Sequence, residues 1–188
     1  PELAADDSDY RITLTVDKAA KSLTIADNGV GMSGEEMEAN LGTIARSGTE
    51  SFVADLKDEA AKDHSLIGRF GVGFYAAFMV ADKVEVLSRK AGGEGAAAWS
   101  SDGLGEYEIG PAEKAERGTV ITLHLKTDAE EFLEDQRLRH TVKTYSDHIS
   151  IPIVLITPPE DDDAAPGSET LNQASALWTR PKNEIEEN

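Results

Sequence analysis

The sequence predicts an α+β domain in which a mostly antiparallel sheet and helices form a two-layer sandwich. Two observations carry this. Polar and apolar residues alternate in short runs, first in Arg11–Val16 and Ser22–Ala26 with Asp17–Lys21 as the turn between them, which is the pattern of hairpin-linked strands. Stretches of helical spacing are interspersed irregularly, so strands and helices do not take turns as they would in a parallel, doubly wound sheet. With 188 residues, 39% of them hydrophobic, the chain has material for one domain with a core.

The remaining elements follow in order. Ser33 reads as a helix cap with Glu36 three residues on, opening a helix to about Leu41. A short helix is expected near Phe52–Leu56, and Asp55–Asp63 has the composition of an exposed segment. Phe74–Ala81 is expected to be helical, Lys83–Leu87 a strand, and Gly92–Gly95 a turn. Ala97–Ser100, Glu106–Ile109 and Thr119–Leu125 are further strands. Leu138, Val142, Tyr145 and Ile149 recur at helical spacing and predict an amphipathic helix. Ile151–Thr157 reads as a final buried strand, and the acidic, Pro-, Ala- and Gly-rich Glu160–Ser168 as a loop. The expected division is a domain over residues 1–157 and a linker over 158–188.

Charge and composition narrow the function. The net charge of −18 repels nucleic-acid backbones and anionic membranes. An anionic ligand must then be held by local cations or backbone N–H groups. The chain has no cysteine, which rules out thiolate metal sites, cysteine nucleophiles and disulfides. His64, His124, His140 and His148 lack metal-ligand spacing, and Trp99 and Trp178 read as packing residues. The run Glu160–Asp163 lacks the glycine and closing glutamate of a calcium loop.

Four segments carry chemistry. In Asp27–Asn28–Gly29–Val30–Gly31–Met32 a carboxylate leaves a strand into two close glycines, which let a flat ligand approach the backbone. Such a carboxylate can accept from an exocyclic amino group, a bond worth about 1.5–3 kcal/mol. Guanine presents an oxygen there and is disfavoured. Taken alone, the segment reads rather as an ordinary Asn-Gly turn. Gly68–Tyr75 places three glycines before a helix, where backbone N–H groups can face phosphate. Its Gly-x-x-Gly-x-Gly spacing is neither a P-loop nor a dinucleotide fingerprint. Leu41–Thr49 has the small hydroxyl residues and glycines of a hinged cover or of a plain surface loop, and Arg117–Gly118–Thr119 opens a strand but carries no signal as an isolated tripeptide.

In this order the segments resemble the ninety-kilodalton heat-shock chaperones. These belong to a superfamily with type II topoisomerases, mismatch-repair ATPases and histidine kinases, whose shared architecture is the Bergerat-type ATP-binding fold. Asp-x-Gly-x-Gly and Gly-x-x-Gly-x-Gly are common to that superfamily. Leu41–Thr49 together with Gly68–Tyr75, Tyr145–Ile149 and Leu177–Arg180 resembles the chaperones specifically. No long charged insertion precedes Trp178, as in the bacterial members.

The resemblance implies an ATP-dependent chaperone's nucleotide-binding domain. It would bind ATP or ADP with Mg2+ and couple hydrolysis to lid closure and client folding. By similarity, Asp27 takes the adenine amino group with Thr119 and water, beside Asn28. Gly31 and Met32 lie along the base, and Asn40 and Leu41 line the pocket near the sugar. Arg46 stands where the family has lysine on the phosphates, with Ser47 and Gly48 beside it in the lid of residues 40–67. Gly71, Val72, Gly73 and Phe74 supply phosphate-facing backbone. In the family an early helix carries the water-activating glutamate and the magnesium-ligating asparagine. No residue of this chain is assigned either role, so the expectation is a domain truncated at its N-terminus and lacking that first helix, with negligible ATP hydrolysis and weak or lost nucleotide binding. The resemblance further implies client proteins as partners, a homodimer at full length, a cytoplasmic location, and neither nucleic acid nor membrane as partner. Two other readings stand beside it. One is a related ATPase or kinase module acting on DNA or phosphohistidine, which the acidic charge disfavours. The other is a nucleotide-binding or interaction domain without turnover.

Overall fold

The computed structural model describes residues 9–42, 73–157 and 166–173. Alternating residues either side of the Asp17–Lys21 turn form β1 (Ile12–Asp17) and β2 (Ser22–Asp27), paired antiparallel from Ile12↔Asp27 to Asp17↔Ser22. The turn is closed by Asp17, whose Oδ1 accepts from Ala20 N–H at 2.8 Å. Helix α1 (Gly34–Leu41) starts on a full capping box: Ser33 Oγ accepts from Glu36 N–H at 3.2 Å, and Glu36 Oε2 from Ser33 N–H at 2.9 Å. Two of the four N–H groups that a helix start leaves unbonded are thereby satisfied or mirrored.

Where the sequence predicts a helix over Phe74–Ala81, a 3-10 turn (Gly73–Ala76) runs into the single-turn α2 (Ala77–Val80). Ala81 already begins β3 (Ala81–Arg89) and is fully inside the core. Strands β4 (Ala96–Ser101), β5 (Tyr107–Ala112) and β6 (Gly118–Leu125) follow. β5 runs three residues past the predicted Ile109, through Pro111. A proline is tolerated there because β5 is an edge strand, with only β4 to bond. A second 3-10 turn (Thr127–Leu133) precedes α3 (Asp135–Tyr145). Leu138 and Val142 face the core as expected, but Tyr145 is 72% exposed and Ile149 lies beyond the helix.

The last predicted strand begins two residues later, as β7 (Ile153–Thr157), with Ile151 exposed. It is not the last. β8 (Gly167–Thr170) pairs antiparallel with it, so Gly167 and Ser168 belong to a strand rather than to the expected loop. Among the described residues eight strands form one sheet in the order β5-β4-β3-β6-β2-β1-β7-β8, in which only β1 and β7 run parallel. The predicted helix at Phe52–Leu56 and the acidic run Glu160–Asp163 lie outside the described residues.

One face of the sheet is covered. Val86, Ile121, Ile25, Leu14 and Leu155 are consecutive register partners on it. They join Met37 and Leu41 of α1, Trp99, Leu138 and Val142 in one core. Alternation puts Glu85, Leu87, Val120 and Thr122 on the opposite face, where Glu85 bonds Lys83 at 2.7 Å and His124 at 2.8 Å. The Lys83 and His124 bonds hold the Glu85 carboxyl below its ordinary value, and the Glu85 bond raises the Lys83 ammonium above its own.

Candidate functional site

Two residues along each strand from the apolar row lies a second row on the covered face: Ser88, Thr119, Asp27, Ile12 and Ile153. Here the core changes character. Ser88 is 0% and Thr119 8% exposed, while Asp27 at the end of β2 opens to solvent. A carboxylate thus stands beside two buried hydroxyls, with an apolar floor of Ile25, Ile121 and Val86 one step further along the strands. That combination of a polar rim and an apolar bed suits a flat heteroaromatic ligand.

The loop after Asp27 is bolted to the sheet from above. Gly29 N–H donates to Asp27 Oδ1 at 2.9 Å, and among the described residues no other group is bonded to this carboxylate. Ala91 N–H donates to Val30 O at 2.8 Å, and Met32 N–H to Ser88 Oγ at 2.8 Å. Gly31 has φ +63°, and a side chain there would fall on the Arg89 carbonyl. Gly118, at φ +106°, packs as closely against the Asp27 carbonyl. Both glycines therefore let two backbones touch where a Cβ would part them. Beneath them Ser88 Oγ lies 3.2 Å from Gly118 O and 2.9 Å from Thr119 Oγ1.

The other predicted residues fall in different places. Asn28 spends its side chain on the chain start: Oδ1 accepts from Arg11 N–H and Nδ2 donates to Asp9 O, both at 2.8 Å. Asn40 is half-buried on α1, whereas Leu41 turns into the core and its carbonyl accepts from Tyr75 Oη at 3.1 Å. Burial pushes the Tyr75 phenol up, which keeps that donor protonated. Gly73 opens the 3-10 turn. Phe74 stacks edge-on against Trp99 at 5.4 Å and Phe78 at 6.4 Å, so its ring is a packing group and only its backbone is available to a ligand. Arg46, Ser47, Gly48, Gly71 and Val72 lie outside the described residues. Among the described residues no three His, Cys, Asp or Glu side chains stand together as a metal site.

Sequence reasoning missed Ser88. Its signal was present: Val84, Val86 and Ser88 share one face of β3, so a serine interrupts an inward apolar series. At the start of α1, burial pushes the Glu36 carboxyl up, but the bonds from Lys90 and Ser33 outweigh this and leave it below its ordinary value.

Comparison with known proteins matches residues 4–128 to the profile of the histidine kinase-, DNA gyrase B- and HSP90-like ATPases. The chain belongs to this ATPase family. It is 54% identical over 98% of its length to the chaperone protein HtpG of Bordetella avium, and 56% identical over 98% to that of Paramagnetospirillum magneticum. With HtpG of Roseobacter denitrificans the identity is 54% over 100% of the chain. The chain spans 30%, 29% and 28% of those relatives' own lengths. The α+β sheet with its single parallel junction and the family match together make this a nucleotide-binding ATPase domain.

Proposed function

We propose that this chain is the nucleotide-binding domain of an ATP-dependent molecular chaperone, and that Asp27 reads the adenine base. The observation that carries the reading is Asp27 itself: an exposed carboxylate at the head of an apolar strip, next to the buried Thr119 hydroxyl. In this reading Asp27 accepts from the exocyclic amino group, Thr119 completes the polar edge, and the backbone of Gly31 and Met32 flanks the ring. Asn40 sits toward the sugar. Arg46, Ser47, Gly48, Gly71 and Val72, with the backbone of Gly73 and Phe74, are assigned to the lid and the phosphates. Mg2+ is proposed to come with the phosphates, and no described residue is assigned to it.

The bound nucleotide supplies the energy of phosphate hydrolysis, and the residues described here bind and orient its base. The relatives' name supports client proteins as partners, and the same reading includes a homodimer at full length and a cytoplasmic location. No helix among the described residues is long and apolar enough to cross a membrane. The test is Asp27→Asn in the full-length protein. Losing one charge-assisted bond predicts about 10- to 150-fold weaker ADP binding by calorimetry. Unchanged affinity would sink the reading.

A further inference from the structure

The hydroxyl pair beneath Asp27 has a defined polarity. A serine hydroxyl has one proton and two lone pairs. At Ser88, the Met32 N–H occupies one lone pair. The Gly118 carbonyl can only accept, so its 3.2 Å contact takes the Ser88 proton. The 2.9 Å contact with Thr119 is then carried by the Thr119 proton, which fills the second lone pair. All three contacts become hydrogen bonds in this arrangement alone. At 0% exposure Ser88 has no water with which to trade any of them.

We infer that Ser88 is a positioning residue that draws the Thr119 proton inward, so that Thr119 meets the ligand with lone pairs only. Next to it Asp27 is also an acceptor. Where Thr119 faces the 6-substituent, the rim therefore asks that substituent for a donor, and the second acceptor adds to the preference for a 6-amino over a 6-oxo group. Through Met32 the same hydroxyl also holds the loop that carries Gly31 at its working height. This inference rests on the adenine reading given above and names the residue that sets its selectivity.

The measurement is calorimetric binding of adenosine diphosphate and of its 6-oxo analogue, inosine diphosphate, to the full-length protein. Ser88→Ala frees the Thr119 proton to turn outward and meet a carbonyl. The ADP-to-IDP affinity ratio is expected to fall about tenfold, the worth of one neutral hydrogen bond. Ser88→Thr keeps the hydroxyl and should restore the ratio. A purely structural serine would weaken both ligands by the same factor, so an unchanged ratio in Ser88→Ala overturns the inference. So does a Ser88→Thr protein that behaves like the alanine variant. Asp27→Asn separates the two levels. If it leaves ADP binding intact, or if the unsubstituted protein binds no ADP, the adenine reading fails and takes this inference with it. If Asp27→Asn abolishes binding and Ser88→Ala leaves the ratio alone, only the role of Ser88 fails.

Discussion

Replacing Asn172 by alanine should destabilise the domain well beyond the usual cost of a surface change. Asn172 is 6% exposed and makes three hydrogen bonds. Its Oδ1 accepts from Ile153 N–H at 2.8 Å, and its Nδ2 donates to the carbonyls of Ile149 at 2.9 Å and Ile151 at 3.0 Å. The three losses are unequal. Ile151 is exposed, so its carbonyl recovers a water partner, and Ile149 is half-buried. Ile153 is 5% exposed, and its N–H would be stranded at the full cost of an unsatisfied buried donor, about 1–3 kcal/mol. Adding roughly 1 kcal/mol for the Ile149 carbonyl gives about 2–4 kcal/mol in total. For a domain of this size that lowers Tm by about 5–15 °C. Thermal unfolding followed by circular dichroism reads it directly. Asn172→Asp sharpens the test, because it keeps an acceptor for Ile153 but turns an oxygen toward two carbonyls. It should be at least as damaging as alanine. A Tm within about 2 °C of the unsubstituted protein for Asn172→Ala would refute the reasoning, since that corresponds to less than about 1 kcal/mol.

Two further outcomes are expected. Gly31→Ala forces a Cβ onto the Arg89 carbonyl at a positive φ, so the loop must move. A cost of about 1–3 kcal/mol and weakened nucleotide binding should appear together in denaturant titration and calorimetry. The Glu36 carboxyl lies below its ordinary value of 4.5, so its contribution to stability is complete above that value and is lost as pH falls through the lowered one. Glu36→Gln should therefore flatten the acid limb of the stability–pH curve below about pH 4.5 and leave its shape above pH 6 alone. An unchanged acid limb would contradict the Lys90 and Ser33 contacts as its origin.

Local rules carried much of this fold. The β1–β2 hairpin and the α1 cap depend on residues within a few positions of each other, so alternation and the Ser33/Glu36 pair were enough to read them. What escaped depends on distant partners. Pro111 looks like a strand terminator until β5 is known to be an edge. Gly167–Thr170 is too short and polar to signal a strand, and it becomes one because β7 offers an unpaired side and Asn172 secures the return. Tyr145 matches the helical period, but the helix ends there and the period carries no information about depth. At the proposed site, Asp27, Gly31 and Thr119 were singled out by the family resemblance rather than by any one motif, and the structure sets them close together. Ser88 was not singled out, because a serine in an apolar strand has meaning only once Met32 and Thr119 arrive beside it.

The wide spacing of those contacts also bears on how the domain is made. Met32 meets Ser88 56 residues later, and Ser88 meets Thr119 31 residues after that. β1 must likewise wait for β7 to complete its parallel side. At about 5–20 residues per second, a ribosome leaves the Asp27 loop without its floor for several seconds. Such long-range pairing is slow to form and leaves the early hairpin exposed meanwhile. The corner that holds Asp27 thus assembles late on the nascent chain and is complete only after β6 has docked.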